Sequence, residues 1–264
     1  CFLSRPRRFG KSLLLSTLNA YFSGKKELFK GLKIDNLEKD WTEYPVFRID
    51  FAVGDYSKEN ELETILNDIL ENWELKYEVA CKTSSLGKRF NNILEAAEVK
   101  TGHKAVVLID EYDKPMLDVL GTELEEKNRN TLKGFYGTFK SADEHLRFAF
   151  LTGVTKFSQV SVFSGFNQPK DISMDRRYDA ICGITEDELY SYFAEPVKEL
   201  ADIMEYTVDE MKNVLKKQYD GYHFSENLKT DIYNPFSILN AFDSMKTEDY
   251  WYESGTPTYL VKLM

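Results

Sequence analysis

Two short stretches of the chain carry residue types that suit phosphate and metal chemistry. Gly10, Lys11 and Ser12 follow a short apolar segment, and Asp110 and Glu111 end a five-residue apolar run. Glycine-lysine-serine is the second half of a P-loop, in which backbone amides at a helix N-terminus surround phosphate oxygens. An acid pair at the end of a buried strand is a typical place for a Mg²⁺ ligand and a general base. In this order the two stretches predict a site for a nucleoside triphosphate.

Each of these residues has an expected role. Lys11 would contact the β- and γ-phosphates, and the Ser12 hydroxyl would bind Mg²⁺. Asp110 would hold the same ion, directly or through water, and Glu111 would activate the attacking water. We therefore predict ATP and Mg²⁺ as cofactors, with Ser12 and Asp110 as metal ligands. The other nucleotide contacts are expected along the loop, at Arg7, Arg8, Phe9, Gly10 and Leu13.

The loop departs from the full pattern G-x-x-x-x-G-K-[ST], because Arg5 stands where the first glycine is expected. Arginine does not adopt a positive φ at low cost, so we expect an altered entry into the loop or weaker nucleotide binding. Arg5, Arg7 and Arg8 form a basic cluster in an acidic chain. Phosphate groups are the simplest partner for this cluster, and a solvated basic turn is the alternative.

Composition limits the classes of protein to consider. The chain has 264 residues and a formal net charge of −10, which argues against a nucleic-acid surface covering this segment. No apolar stretch approaches the roughly 18 residues of a membrane span. Three widely spaced cysteines suggest neither a disulfide framework nor a zinc site, and they fit a reducing cytoplasm. Because the chain begins with Cys1 and not with methionine, we expect it to start inside a longer protein.

Short apolar segments alternate with segments of helical spacing in the first two thirds of the chain. This alternation predicts an α/β fold with a doubly wound parallel sheet. Right-handed crossovers would then bring the P-loop and the acid pair to the same carboxyl edge of the sheet. Helices are predicted over 11–22, 57–80, 87–100 and 128–140. Strands are predicted over 1–4, 44–51, 105–109 and 147–154, with a fifth over 179–185.

After residue 185 the pattern becomes helical. We therefore predict a nucleotide-binding domain over 1–184, truncated at its N-terminus, and a helical lid domain over 185–264, truncated at its C-terminus. The dense aromatic segment 219–224 is interpreted as core, with a docking surface as the alternative. Helix starts are indicated by capping boxes at Thr185–Glu188 and Thr207–Glu210, and by N-cap and proline pairs at Asn234-Pro235 and Thr256-Pro257.

Longer strings resemble one family, the bacterial AAA-ATPase-like proteins, over nearly the whole chain. In that family arginine commonly replaces the first P-loop glycine, and relatives include archaeal-type and STAND ATPases. The resemblance implies a P-loop NTPase sheet of order 5-1-4-3-2 followed by a helical or winged-helix lid. Members often carry a PD-(D/E)XK nuclease-like domain after the ATPase part, and we find none in these 264 residues. The strings are FLSRPRRFGKSLLLSTL, VLIDEYDKP, FAFLTGVTKFSQVSVFSG, YDGYHFS, YNPFSILNAF and SGTPTYLVKLM.

The resemblance also implies roles for single residues. Lys11, Ser12, Asp110 and Glu111 match the phosphate, metal and base positions. Thr152 matches a polar sensor of the γ-phosphate, and a satisfied strand-end hydroxyl is the alternative. Weaker sensor candidates are Thr155, Lys156 and Ser158.

Two further sets of charged residues lie near these motifs. Asp113 and Lys114 either tune Glu111 or form a local surface pair. We favour the surface pair. Candidate arginine fingers are Arg129, Arg147, Arg176 and Arg177, and the last two rank highest because they lie in the loop-like stretch 164–178.

The leading hypothesis is an Mg²⁺-dependent ATPase that couples nucleotide state to the position of the helical domain. A GTPase is disfavoured because Thr155-Lys156-Phe157-Ser158 lacks the aspartate of the guanine-reading [NT]-K-x-D string. A P-loop kinase is a further alternative, although the adjacent acids favour water over a substrate hydroxyl as the nucleophile. The alternative from another class is a nucleotide-gated scaffold with little turnover, which recruits a partner or a fused nuclease-like domain. A neighbouring subunit or a partner protein could supply the finger arginine.

Overall fold

The computed structural model describes residues 1–80, 82–155, 169–225 and 230–251. The chain forms two compact units. Unit 1 comprises Cys1–Ser4 and Ser12–Lys170, and unit 2 comprises Arg5–Lys11 and Asp171–Met264. Residues 5–11, which we call the nucleotide loop, therefore belong by their contacts to unit 2, although they lie between two stretches of unit 1.

Unit 1 contains a four-stranded parallel sheet of order β1-β4-β3-β2. All six residues of β3 are buried, as expected for a strand in the middle of a parallel sheet. This order agrees with four positions of the predicted 5-1-4-3-2 sheet, and no strand outside β1 is found within the described residues. The strands are β1 Phe2–Ser4, β2 Val46–Asp50, β3 Ala105–Asp110 and β4 Leu146–Gly153.

Helices join these strands and supply much of the core. On α3, Leu62, Leu66 and Leu70 recur every fourth residue and are buried, because this spacing lines one face of a helix. Between helices, the ring of Phe90 stacks on Phe135 with centroids 5.1 Å apart. The helices of unit 1 are α1 Lys11–Phe22, α2 Lys33–Leu37, α3 Glu61–Tyr77, α4 Leu86–Thr101, α5 Lys114–Leu117, α6 Leu124–Tyr136 and α7 Thr138–Ser141.

Unit 2 is mainly helical and has its own apolar core, to which the buried Tyr219 belongs. Both predicted capping boxes are confirmed, and the Asn234 side chain caps the last described helix as predicted. The Thr256-Pro257 helix start lies outside the described residues. The elements are β5 Ile184–Thr185, α8 Glu186–Tyr192, α9 Ala194–Ile203, α10 Val208–Tyr219, β6 Ile232–Tyr233 and α11 Pro235–Ser244.

The interpretation of 179–185 as a fifth parallel strand is wrong. Only Ile184 and Thr185 form a strand, and they pair antiparallel with β6 in a separate two-stranded sheet. The strand ends there because the Thr185 side chain accepts a hydrogen bond from Glu188 N and starts α8. Among the helices that the structure describes, none has the length and apolar character needed to cross a membrane.

Candidate nucleotide site

The sheet order places the ends of three strands side by side. Ser4, the last residue of β1, lies in register with Gly153 at the end of β4. β4 in turn pairs with β3, which ends at Asp110. The carboxyl ends of parallel strands meet at one edge of a sheet. The nucleotide loop, which follows β1, therefore begins at the edge where the acid pair lies. The predicted juxtaposition of these strand ends is confirmed.

Asp110 is buried, and its two carboxylate oxygens differ in their hydrogen bonds. Oδ1 accepts hydrogen bonds from Thr152 Oγ1 at 2.6 Å and from Glu111 N at 3.1 Å. Oδ2 is also buried, but it has no hydrogen-bond partner among the described residues. Burying an oxygen without a partner costs free energy unless a cation or another donor satisfies it. A carboxylate held in this way fits a Mg²⁺ ligand.

Thr152 is fully buried at the end of β4, where a polar sensor was predicted. Its hydroxyl donates to Asp110, so it orients the carboxylate and leaves Oδ2 as the unpartnered oxygen. This geometry matches the alternative of a satisfied strand-end hydroxyl. Direct contact of Thr152 with a γ-phosphate stays a prediction.

Glu111 takes a left-handed backbone conformation, with φ of 48°. For a residue other than glycine this costs roughly 1–2 kcal/mol. Directly after this residue, Tyr112 N donates to Thr152 O of the neighbouring parallel strand β4 at 3.0 Å. Strain of this kind is common at functional sites, where the surrounding structure enforces it. Here the Tyr112–Thr152 bond contributes to that enforcement.

Asp113 is not part of a surface pair, so that interpretation is wrong. It is 1% exposed, and its Oδ2 accepts from Thr155 Oγ1 at 2.6 Å, Thr155 N at 2.7 Å and Val154 N at 3.0 Å. Burial raises the pKa of its carboxyl above the usual range. Lys114 instead pairs with Asp118 on the next turn. Asp113 therefore fixes the chain directly after β4.

Tyr112, the residue before Asp113, also contacts the segment directly after β4. Its ring packs edge-on against Phe2 with centroids 5.2 Å apart, and its hydroxyl donates to Thr155 O at 3.3 Å. A Cβ on Gly153 would lie 2.3 Å from the Tyr112 ring, so only glycine fits there. Sequence reasoning missed the structural roles of Tyr112 and Asp113. The one available signal was an aromatic residue and a further acid directly after the acid pair.

The nucleotide loop ends where α1 begins, at Lys11. This side chain is 7% exposed, and Nζ donates to Arg5 O at 3.0 Å and to Pro6 O at 3.1 Å. Gly10 has φ of 85°, which favours glycine, and Arg8 has φ of 70°. Positive φ thus falls at positions 8 and 10 and not at Arg5, while weaker nucleotide binding stays a prediction.

The side chains of the loop point to different environments. Phe9 is 1% exposed and packs against Tyr222 and Phe224 of unit 2, which leaves its backbone as the group able to reach a phosphate. The Arg8 guanidinium lies 4.4 Å from the centre of the Phe236 ring. Arg7 O accepts from the indole of the last described residue, Trp251. Segment 219–224 therefore contributes to the core, as predicted.

Arg5 differs from its two neighbours in the predicted basic cluster. Its side chain is 1% exposed and donates to backbone carbonyls of unit 2. The expectation that phosphate is its partner is therefore wrong, and so is the alternative of a solvated turn. Ser12 and Leu13, by contrast, are exposed at the start of α1.

Two of the finger candidates are held in ion pairs within unit 1 or unit 2. Arg129 pairs with Glu125 within α6, and Arg177 pairs with Asp175. Arg147 is exposed on β4. The weaker sensor candidates Lys156 and Ser158, like residues 164–168 of the loop-like stretch, lie outside the described residues.

No group of three or more histidine, cysteine, aspartate or glutamate side chains suited to a metal occurs in the described part of the chain. Mg²⁺ in phosphate-transfer sites commonly takes one or two protein ligands, with phosphates and water completing the octahedron. The unpartnered Oδ2 of Asp110 fits such a site, and the exposed Ser12 hydroxyl is of the right chemistry for a second ligand.

Comparison with known proteins agrees with these motifs. The family described as "Predicted AAA-ATPase" (AAA-ATPase-like) matches residues 1–163, a range that includes the nucleotide loop, the acid pair and Thr152. The chain belongs to this AAA-ATPase-like family, which suggests nucleotide binding and hydrolysis in general.

A curated protein of Azotobacter chroococcum mcd 1, described as an uncharacterized protein in the vnfD 5′ region, is 40% identical over 265 residues. The match covers all of this chain and 49% of that protein, so the chain spans about half the length of this relative.

Proposed function

We propose that this chain binds Mg²⁺-ATP and hydrolyses it. The observation that supports this most is the buried Asp110 carboxylate, which Thr152 orients and whose Oδ2 has no partner among the described residues. It lies at the sheet edge from which the chain enters the Gly10-Lys11-Ser12 motif. Membership of the AAA-ATPase-like family supports the same activity.

The proposed roles follow from the chemistry of each group. Lys11 would leave the loop carbonyls and offset charge on the β- and γ-phosphates. Asp110 and Ser12 would hold Mg²⁺, which when bound neutralises phosphate oxygens. Glu111 would orient water and accept its proton. The amides of residues 7–13 would surround the phosphates, with the N-terminus of α1 favouring negative charge.

We also propose that nucleotide state is coupled to movement of the helical domain, taken as residues 185–264 after a P-loop domain over 1–184. The contacts of the nucleotide loop support this, because the loop belongs to the same compact unit as the helices that follow residue 171. A 5-1-4-3-2 sheet and a winged-helix-like lid remain part of the proposal. An arginine from a second copy or a partner protein would complete the charge stabilisation.

The direct test is phosphate release from Mg²⁺-ATP by the purified chain over a range of protein concentrations. We expect Glu111→Gln to bind ATP with little or no cleavage, and Lys11→Ala to lose binding. Glu144→Gln is the matched control, because it makes the same change at an exposed residue of unit 1. EDTA should abolish turnover and restored Mg²⁺ should recover it.

The outcomes separate the two classes of function. Equal rates for wild type and Glu111→Gln would refute the base role, and turnover by Lys11→Ala would refute the assigned site. A rate that rises faster than protein concentration would indicate a site completed between copies. ATP binding without turnover in the wild type would favour the scaffold, which recruits a partner or a nuclease-like domain.

A further inference from the structure

The residue that replaces the first P-loop glycine has an unusual environment. Arg5 is 1% exposed, and it is among the largest fully buried side chains that the structure describes. A charged side chain is seldom buried to this extent unless its donors are satisfied. Burial lowers its pKa to about 10, so the guanidinium stays charged near neutral pH.

The hydrogen-bond donors of the Arg5 guanidinium find their acceptors in one short segment of unit 2, residues 173–181. Its nitrogens donate to Ser173 O at 2.7 Å, Tyr178 O at 3.0 Å and Ile181 O at 3.1 Å. Its face lies 3.9 Å from the centre of the Phe224 ring. In-plane donors together with a flat apolar face are specific to arginine, because a lysine ammonium is a compact point charge.

The backbone carbonyl of the same residue contacts Lys11, the residue to which the proposed function assigns phosphate binding. Arg5 O accepts a hydrogen bond from Lys11 Nζ at 3.0 Å, and Pro6 O accepts a second. The side chain of Arg5 thus fixes the position of a carbonyl against which Lys11 rests. A displacement of Arg5 would displace both this carbonyl and the lysine.

Two more contacts attach the nucleotide loop to the rest of unit 2. The ring of Phe9 lies 4.7 Å from Tyr222 and 5.4 Å from Phe224, centroid to centroid. Arg7 O accepts from Trp251 Nε1 at 3.3 Å. Phe224 contacts both Arg5 and Phe9, so one aromatic side chain supports the loop at two positions.

We propose that Arg5 is a positioning residue of the nucleotide loop, which sets the place of Lys11 through the carbonyls of segment 173–181 and the ring of Phe224. The inference rests on the proposed function, because it assigns Lys11 to phosphate binding. It would explain how this chain could bind nucleotide without the first glycine: side-chain contacts within unit 2 hold the loop entry that the full pattern shapes with glycine.

The test compares Arg5→Ala and Arg5→Lys with Arg89→Ala. Arg89 is the matched control, because it is also a buried arginine, but it pairs with Glu74 between helices of unit 1. Each folded variant is titrated with Mg²⁺-ATP, and its Lys11 is labelled with an amine-acetylating reagent and quantified by mass spectrometry without nucleotide.

We expect Arg5→Ala to weaken ATP binding at least about tenfold, which corresponds to about 1.4 kcal/mol. Acetylation of Lys11 should become at least about fivefold faster, because a local opening exposes the amine. Arg5→Lys should restore neither quantity fully. Arg89→Ala should change both less than about twofold, since it lowers stability without moving the loop.

Unchanged Lys11 labelling in a folded Arg5 variant would overturn the inference, whatever the nucleotide result. Equal effects of Arg5→Ala and Arg89→Ala would also overturn it, because they would show a general loss of stability. If Arg5→Ala does not fold, Arg5→Lys and Phe224→Leu carry the same comparison. Absence of ATP binding in the wild type would refute the proposed function, while labelling still decides the role of Arg5.

Discussion

Replacing Asp113 by alanine should loosen the chain directly after β4. The carboxylate accepts from two backbone amides and one hydroxyl, all from Val154 and Thr155. Alanine leaves these three donors without their acceptor in a buried place. At about 1 kcal/mol for each donor, the loss is about 3 kcal/mol.

Asparagine at position 113 separates hydrogen bonding from charge. Its carbonyl oxygen can replace Oδ2 as the acceptor. Because asparagine is neutral, the cost of burying a negative charge, which raises the pKa of Asp113, disappears. Its amide nitrogen would take the place of Oδ1, which is buried without a partner among the described residues. We therefore expect Asp113→Asn to lose only about 1 kcal/mol.

Amide hydrogen exchange is the preferred assay, because two compact units make a single unfolding free energy ill-defined. In Asp113→Ala the amides of Val154 and Thr155 should exchange about 100-fold faster, the rate equivalent of about 3 kcal/mol. The control is Asp118→Ala, which removes a partly exposed partner of Lys114 and should cost no more than about 0.5 kcal/mol.

The reasoning would be refuted if Asp113→Ala left the exchange of these amides within about twofold of wild type. It would also be refuted if Asp113→Asn were as damaging as Asp113→Ala. In that case the charge, and not its capacity to accept hydrogen bonds, would be what the structure requires.

Three other substitutions test the same site. Thr152→Val keeps the shape of the side chain but leaves Asp110 Oδ1 without its hydroxyl donor at 2.6 Å. The Mg²⁺ concentration for half-maximal turnover should therefore rise, while the melting temperature changes little. An unchanged Mg²⁺ requirement would contradict the orienting role of Thr152. Gly153→Ala places a Cβ 2.3 Å from the Tyr112 ring and should cost about 1–3 kcal/mol of local stability. Amide hydrogen exchange of Tyr112 and Val154 measures this loss, and exchange at the wild-type rate would disprove the crowding. Gly10→Ala meets no atom within 4 Å but imposes φ of 85° on a residue with a Cβ, so it should cost about 1 kcal/mol and weaken ATP binding in a nucleotide titration, with equal affinity as the refuting result.

Much of the fold followed from local patterns in the sequence. The apolar run before Asp110 predicted a buried strand, and the four-residue spacing of leucines on α3 appears as a buried face. Two capping boxes were confirmed because each is made by residues three positions apart. Segment 179–185 was misread because a few apolar residues between turns do not reveal their strand partner.

Within the site, the sequence alone determined the chemical types: a Gly-Lys-Ser loop, an acid pair after a strand, and a hydroxyl at the end of β4. Tertiary structure decided which of these groups touch and which polar atoms are satisfied. Asp113 accepts from residues 41 and 42 positions away, and Arg5 donates to carbonyls 168 to 176 positions away. No local periodicity encodes such pairs, because the partner of a buried polar group is set by which distant backbone the packed core brings within hydrogen-bond reach.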